Sequence, residues 1–179
     1  MKKQIYFLLI IFASSSLFSL SLNNSLLLSI KQGKYREAKK LLNRGANPNA
    51  YDINRTPAII IAANYQREYI AELLISKGAN VNAKSKLGST ALITSSYRGN
   101  YKIALLLIRK GADINACDTD GETSLMIASY KGYTDIVSLL INSGANVHLK
   151  SKSGWNALTF AKKGNAYEVI ELLNKAGLK

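Results

Sequence analysis

Side chains able to make or break bonds are scarce in this 179-residue chain: one cysteine, Cys117, and one histidine, His148, stand among 24 Lys+Arg and 11 Asp+Glu. A nucleophilic thiolate needs an adjacent base, and a structural zinc needs four Cys or His ligands. One residue of each type excludes that zinc site and any internal disulfide. Asp118, Asp120 and Glu122 gather on one short stretch, but three acids at that spacing supply too few oxygens for a calcium loop. The glycines fall at even joints and not in a cluster after a strand, so no phosphate-cradling loop is expected. The residues predict no catalytic, metal or cofactor site. His148 reads as a polar side chain bonded to a turn backbone, and Cys117 as a surface residue.

What the sequence offers instead is contact chemistry. Tyr97-Arg98 and Tyr130-Lys131 are one pair repeated 33 residues apart, and the single Trp, Trp155, lies in a turn-like stretch where burial is least expected. Aromatics and Arg are the residues most enriched at interface hot spots. Successive turns alternate in sign: Lys84 and Lys86, then Asp118, Asp120 and Glu122, then Lys150 and Lys152.

The elements that must position these residues repeat. Gly45, Gly78, Gly111, Gly144 and Gly177 are spaced by 33, and Leu41, Leu74, Leu107, Leu140 and Leu173 hold the same period four residues upstream. A period of that length marks a stacked array. Within one unit, Asp118-Thr119-Asp120-Gly121 predicts a tight turn and Gly121–Ser129 the opening of a first helix. Lys131-Gly132-Tyr133-Thr134 breaks it, and Ile136, Val137, Leu139 and Leu140 form the apolar stripe of a second helix. Gly144 then ends that helix by accepting the left-handed conformation. Two such helices cannot bury their apolar faces alone, whereas stacked copies can.

The pattern resembles the ankyrin repeat over roughly residues 24–179. Thr90-Ala91-Leu92 and Thr123-Ser124-Leu125 match the family's threonine–proline–leucine segment. Gly111-Ala112-Asp113 and Gly78-Ala79-Asn80 match its glycine–alanine–aspartate tail. Departures are Pro57 in the threonine slot, Arg55 in a turn-glycine slot, and Ile60, Ile93, Met126 and Thr159 where the family carries histidine. The resemblance implies an all-α ankyrin-repeat solenoid with projecting β-hairpin-like turns, in units of about 24–50, 51–83, 84–116, 117–149 and 150–179. Lys162 and Asn174 replace apolar or small residues of earlier units, as a polar end cap requires. The resemblance also implies that a partner docks on the concave face, through turn tips and first-helix ends. Slot by slot these are Tyr51 and Tyr65; Lys84, Lys86, Tyr97 and Arg98; Asp120, Glu122, Tyr130 and Lys131; Lys152 and Trp155.

Residues 1–21 read as an address. Lys2 and Lys3 precede the apolar run Ile5–Phe12, and Ser19 and Ser21 are small residues suited to cleavage before Leu22. An uncleaved anchor is the alternative, since Ile5–Leu22 is 18 mostly apolar residues, near the lower limit for a span. Export to a bacterial periplasm or beyond is the expectation. Residues 22–179 carry 22 basic against 11 acidic groups, a surplus that attracts anionic partners. The leading expectation is a monomeric, non-enzymatic protein-interaction scaffold. The alternatives are a module for polyanions or anionic membrane surfaces, and an enzyme inhibitor. Nucleic acid is not expected, because no groove-reading or base-stacking motif is present.

Overall fold

The computed structural model describes residues 18–177, which form ten helices in five antiparallel pairs. They are α1 (18–32) with α2 (Tyr35–Asn43), α3 (Ala58–Asn64) with α4 (Glu68–Ser76), and α5 (Ala91–Arg98) with α6 (Tyr101–Arg109). α7 (Ser124–Lys131) follows with α8 (Thr134–Asn142), and α9 (Ala157–Lys163) with α10 (Tyr167–Lys175). From α3 onward the odd-numbered helices stack in one row, and the even-numbered helices from α2 stack in a second. Hairpins project between pairs; two close with an antiparallel bridge, Tyr51 to Pro57 and Cys117 to Thr123. The architecture is the expected all-α solenoid. The first 17 residues of the expected leader lie outside the described residues. The expected junction before Leu22 falls inside α1, where Leu22 is already buried.

Local chemistry explains each unit. Thr90 and Thr123 cap α5 and α7 by accepting the N–H of Ile93 and Met126, and Asn156 caps α9 by accepting that of Thr159. Such a cap satisfies a donor the helix start leaves orphaned. The even-numbered helices bury the expected stripe: Ile70, Ala71 and Leu74 in α4, Ile103, Ala104 and Leu107 in α6, Ile136, Val137 and Leu140 in α8. Gly111 follows α6 at φ +82°, the left-handed conformation in which a Cβ is strained. Three other positions reach that region without glycine: Arg55, Gln66 and Asn165. Arg55 holds the hairpin slot that Gly88, Gly121 and Gly154 hold later, so the stack imposes the turn on a residue that does not favour it.

Neighbouring units are also stitched by asparagines. Asn49 Nδ2 donates to the Gly78 carbonyl (3.0 Å) while its Oδ1 accepts the Asn80 N–H (2.7 Å). Asn82 repeats this with Gly111 and Asp113, and Asn115 accepts the N–H of Asn146. His148 holds the next slot of this ladder. The bond seen for it is made by its backbone N–H to Asn146 Oδ1 (3.0 Å), not by the ring as the sequence suggests. At the far end Lys162 is exposed where Ala63, Ser96 and Ser129 are buried, and Asn174 is exposed where Ile75, Ile108 and Ile141 are half-buried. Those substitutions leave the outer face of the last pair polar.

Candidate partner-binding surface

The hairpins set the surface, and one aspartate sets each of two hairpins. Asp52 Oδ1 accepts the N–H groups of Asn54 and Thr56, both at 3.0 Å. Asp118 Oδ1 accepts those of Asp120 and Glu122, both at 2.9 Å. An aspartate bonded to its own turn mimics a backbone turn and fixes the tip. Consecutive tips are then linked by backbone: the Thr119 N–H donates to the Leu87 carbonyl (3.0 Å), and the Lys152 N–H to the Asp120 carbonyl (2.9 Å).

The twelve expected contact residues do not form one patch. Tyr97, Glu122, Tyr130 and Lys131 converge on one cavity of about 260 Å³, with Ile127, Phe160 and Lys163 completing its walls. Here the cations are held over rings. The Lys131 ammonium lies 4.3 Å from the centroid of Tyr97 and the Lys163 ammonium 4.4 Å from that of Trp155. An ammonium over an aromatic face is attracted by the ring quadrupole, which arranges these side chains before a partner arrives. Arg98 is fixed from the other side, its Nε and Nη2 donating to Asn64 Oδ1 at 3.0 and 2.7 Å.

Tyr51, Lys84 and Lys86 line a separate depression with Arg55 and Pro57. Tyr65 lies in a third, beside Asn64, Asp52 and Ile61. Asp120 and Lys152 sit on exposed tips.

Trp155 departs from expectation. It is half-buried, edge-on to Phe160 with centroids 5.8 Å apart, and packed against the core. The turn carries it, but its ring packs against Phe160 and beneath the Lys163 ammonium, and it does not line the cavity. Phe160 is a residue the sequence reading leaves out of the site; it shares its slot with Ile61, Thr94 and Ile127 and reads as core. Lys163 holds the first-helix-end slot of Tyr97 and Tyr130, one of the concave-face slots of the last unit.

Glu122 is the acid of the cavity. Burial pushes its carboxyl above the ordinary value, Asp118 and Asp120 push the same way, and Lys163 opposes them. Cys117 is exposed at a hairpin base, where its carbonyl accepts from the Lys84 ammonium at 3.0 Å. Among the described residues no group of three or more His, Cys, Asp or Glu could hold a metal, and no helix is long and apolar enough to cross a membrane.

The family model for ankyrin repeats (3 copies) matches residues 26–118 and 105–179. The chain belongs to the ankyrin-repeat family. No curated protein matches it. Ankyrin repeats generally serve as protein–protein interaction scaffolds and are typically non-enzymatic. In this ankyrin solenoid four of the twelve expected contact residues, Tyr97, Glu122, Tyr130 and Lys131, line one cavity that reaches from the third pair to the last.

Proposed function

We propose that this protein is a monomeric, non-enzymatic scaffold, exported from the cytoplasm, that captures a protein partner on its concave face through Tyr97, Tyr130 and Lys131. The observation that carries the reading is the Lys131 ammonium seated on Tyr97 at the mouth of a cavity walled by Tyr130 and Phe160. Rigid aromatics bury area at little entropic cost, and Lys131 and Lys163 give the rim a positive side. A partner segment with apolar side chains and flanking carboxylates fits that chemistry. Export is supported by Lys2 and Lys3, the apolar run Ile5–Phe12, and the small residues Ser19 and Ser21.

One cross-linking pull-down tests both parts. The double variant Tyr97→Ala with Tyr130→Ala loses about 2–6 kcal/mol of partner affinity if both are hot spots. Capture is then abolished while circular dichroism is unchanged. Trp155 is left intact because its ring packs on Phe160. Normal capture by the folded variant overturns the binding reading. N-terminal sequencing of the captured chain reads the leader, and a cytosolic chain beginning at Met1 overturns export.

A further inference from the structure

The solenoid is electrically lopsided. Residues 22–116 hold 15 Lys+Arg against 5 Asp+Glu, and residues 117–179 hold 7 against 6. In the basic half, the first two hairpins push apolar side chains into solvent: Ile53 is 96% exposed, Leu87 69% and Tyr51 58%. Arg55 lies over the Tyr51 ring at 5.5 Å, and Arg55, Lys84 and Lys86 edge the same shallow depression as Tyr51. The one acid of these two hairpins, Asp52, is spent. Its carboxylate accepts the N–H groups of Asn54 and Thr56 and pairs with the Lys31 ammonium at 3.6 Å, leaving the side chain only 15% exposed.

Isolated apolar tips on protruding hairpins offer no cleft to grip a protein segment. They are shaped to enter a soft apolar surface, and the cations beside them set the sign that surface must carry. We propose that the first two hairpins dock the solenoid on an anionic lipid surface. Ile53 and Leu87 enter the acyl boundary, and Arg55, Lys84 and Lys86 face the headgroups. The acidic third hairpin bounds the patch, since Thr119 is bonded directly to Leu87; repulsion there tilts the solenoid so that its basic units meet the lipid. None of these tip residues lines the cavity of Tyr97, Tyr130 and Lys131, so lipid and a protein partner are held on different surfaces.

The test is sedimentation of the full chain with vesicles of phosphatidylcholine alone or of phosphatidylcholine mixed with phosphatidylserine. Binding is expected to the mixed vesicles and to weaken from about 50 to 200 mM salt. Ile53→Ser with Leu87→Ser should lower the partition coefficient roughly tenfold, because the apolar insertion is lost. Arg55→Gln with Lys86→Gln should lower it comparably and flatten the salt dependence. All four side chains are solvent-facing, so circular dichroism should not change. Undiminished binding by the serine variant overturns the proposal, including the case in which residues 1–17 alone carry the chain to lipid. Binding to soluble heparin that matches binding to vesicles, with both indifferent to the serine changes, shows a charge-only polyanion site and overturns it as well.

Discussion

The first and third hairpins are built on one device and end with opposite characters. Each starts from an aspartate, Asp52 or Asp118, that accepts two N–H groups of its own turn. The first then presents Tyr51, Ile53 and Arg55; the third presents Thr119, Asp120 and Glu122. One carboxylate fixes the backbone, and the tip is free to vary in charge and polarity. The lesson is that geometry repeats every 33 residues while surface does not. Recognition is therefore written in the residues the fold does not need.

The sharpest way to break that comparison is at the last pair, where a glycine sits directly against the backbone of α7. Tyr65, Arg98 and Lys131 carry side chains in the slot where α9 ends at Gly164. A Cβ on Gly164 would collide with the Tyr130 carbonyl. Gly164→Ala should cost about 3 kcal/mol, because backbone cannot retreat as a flexible side chain can. Gly111→Val is the milder partner. Nothing lies within 4 Å of a Cβ there, so only the strain of φ +82° remains, about 1–3 kcal/mol. Urea titration ranks the two; equal stability of Gly164→Ala and the parent would show that α9 does not approach α7 this closely.

The same contrast explains what could be read in advance. Period, helix pairs and polar cap were legible because glycine, leucine and the apolar stripe each recur in register. Arg55, Gln66 and Asn165 were not legible as left-handed residues, since a stack that over-determines a turn need not mark it with glycine. Trp155 misled for a related reason: its slot, held by Thr56, Ser89 and Glu122 in earlier units, is half-buried in each, and Phe160, in the following helix, gives the ring somewhere to pack. The sequence names contact slots but is silent on grouping: Tyr97, Glu122, Tyr130 and Lys131 share one cavity, and the other eight lie outside it. Spacing along the chain fixes which residues face the hairpin side, whereas cation–ring contacts such as Lys131 on Tyr97 depend on side-chain reach between units.

A smaller effect separates the two aspartate-built hairpins. Asp52→Ala removes two bonds to backbone N–H groups and the Lys31 partner, at a cost of about 1–2 kcal/mol at neutral pH. Burial pushes the Asp52 carboxyl up, but bonds from Thr56 and Asn54 and the charge of Lys31 outweigh it and hold it below its ordinary value of 3.8. Stability from a lowered carboxyl is present above its unfolded value and is lost as pH falls through the folded one. The difference between parent and Asp52→Ala should therefore shrink on acidification below about pH 4. A urea midpoint difference that stays constant through that range would show that the ionised form is not what holds the turn.

Glu122 carries the opposite sign and the smallest effect. Burial, then Asp118 and Asp120, hold its carboxyl above the ordinary 4.5, with Lys163 pulling it back. A raised carboxyl binds its proton more tightly in the folded chain, so ionisation weakens the fold as pH climbs from the ordinary value through the raised one. Glu122→Gln removes that penalty and keeps the side chain's length. The variant should match the parent near pH 4 and exceed it in urea midpoint at pH 7. The gain belongs to the acidic hairpin alone, because Thr56 stands in the equivalent slot of the first and Thr56→Val should show no rise with pH. Parallel pH profiles for parent and Glu122→Gln would mean that Lys163 already neutralises the carboxylate. The cavity would then present neither charge of that pair, and its positive side towards an acidic partner would rest on Lys131.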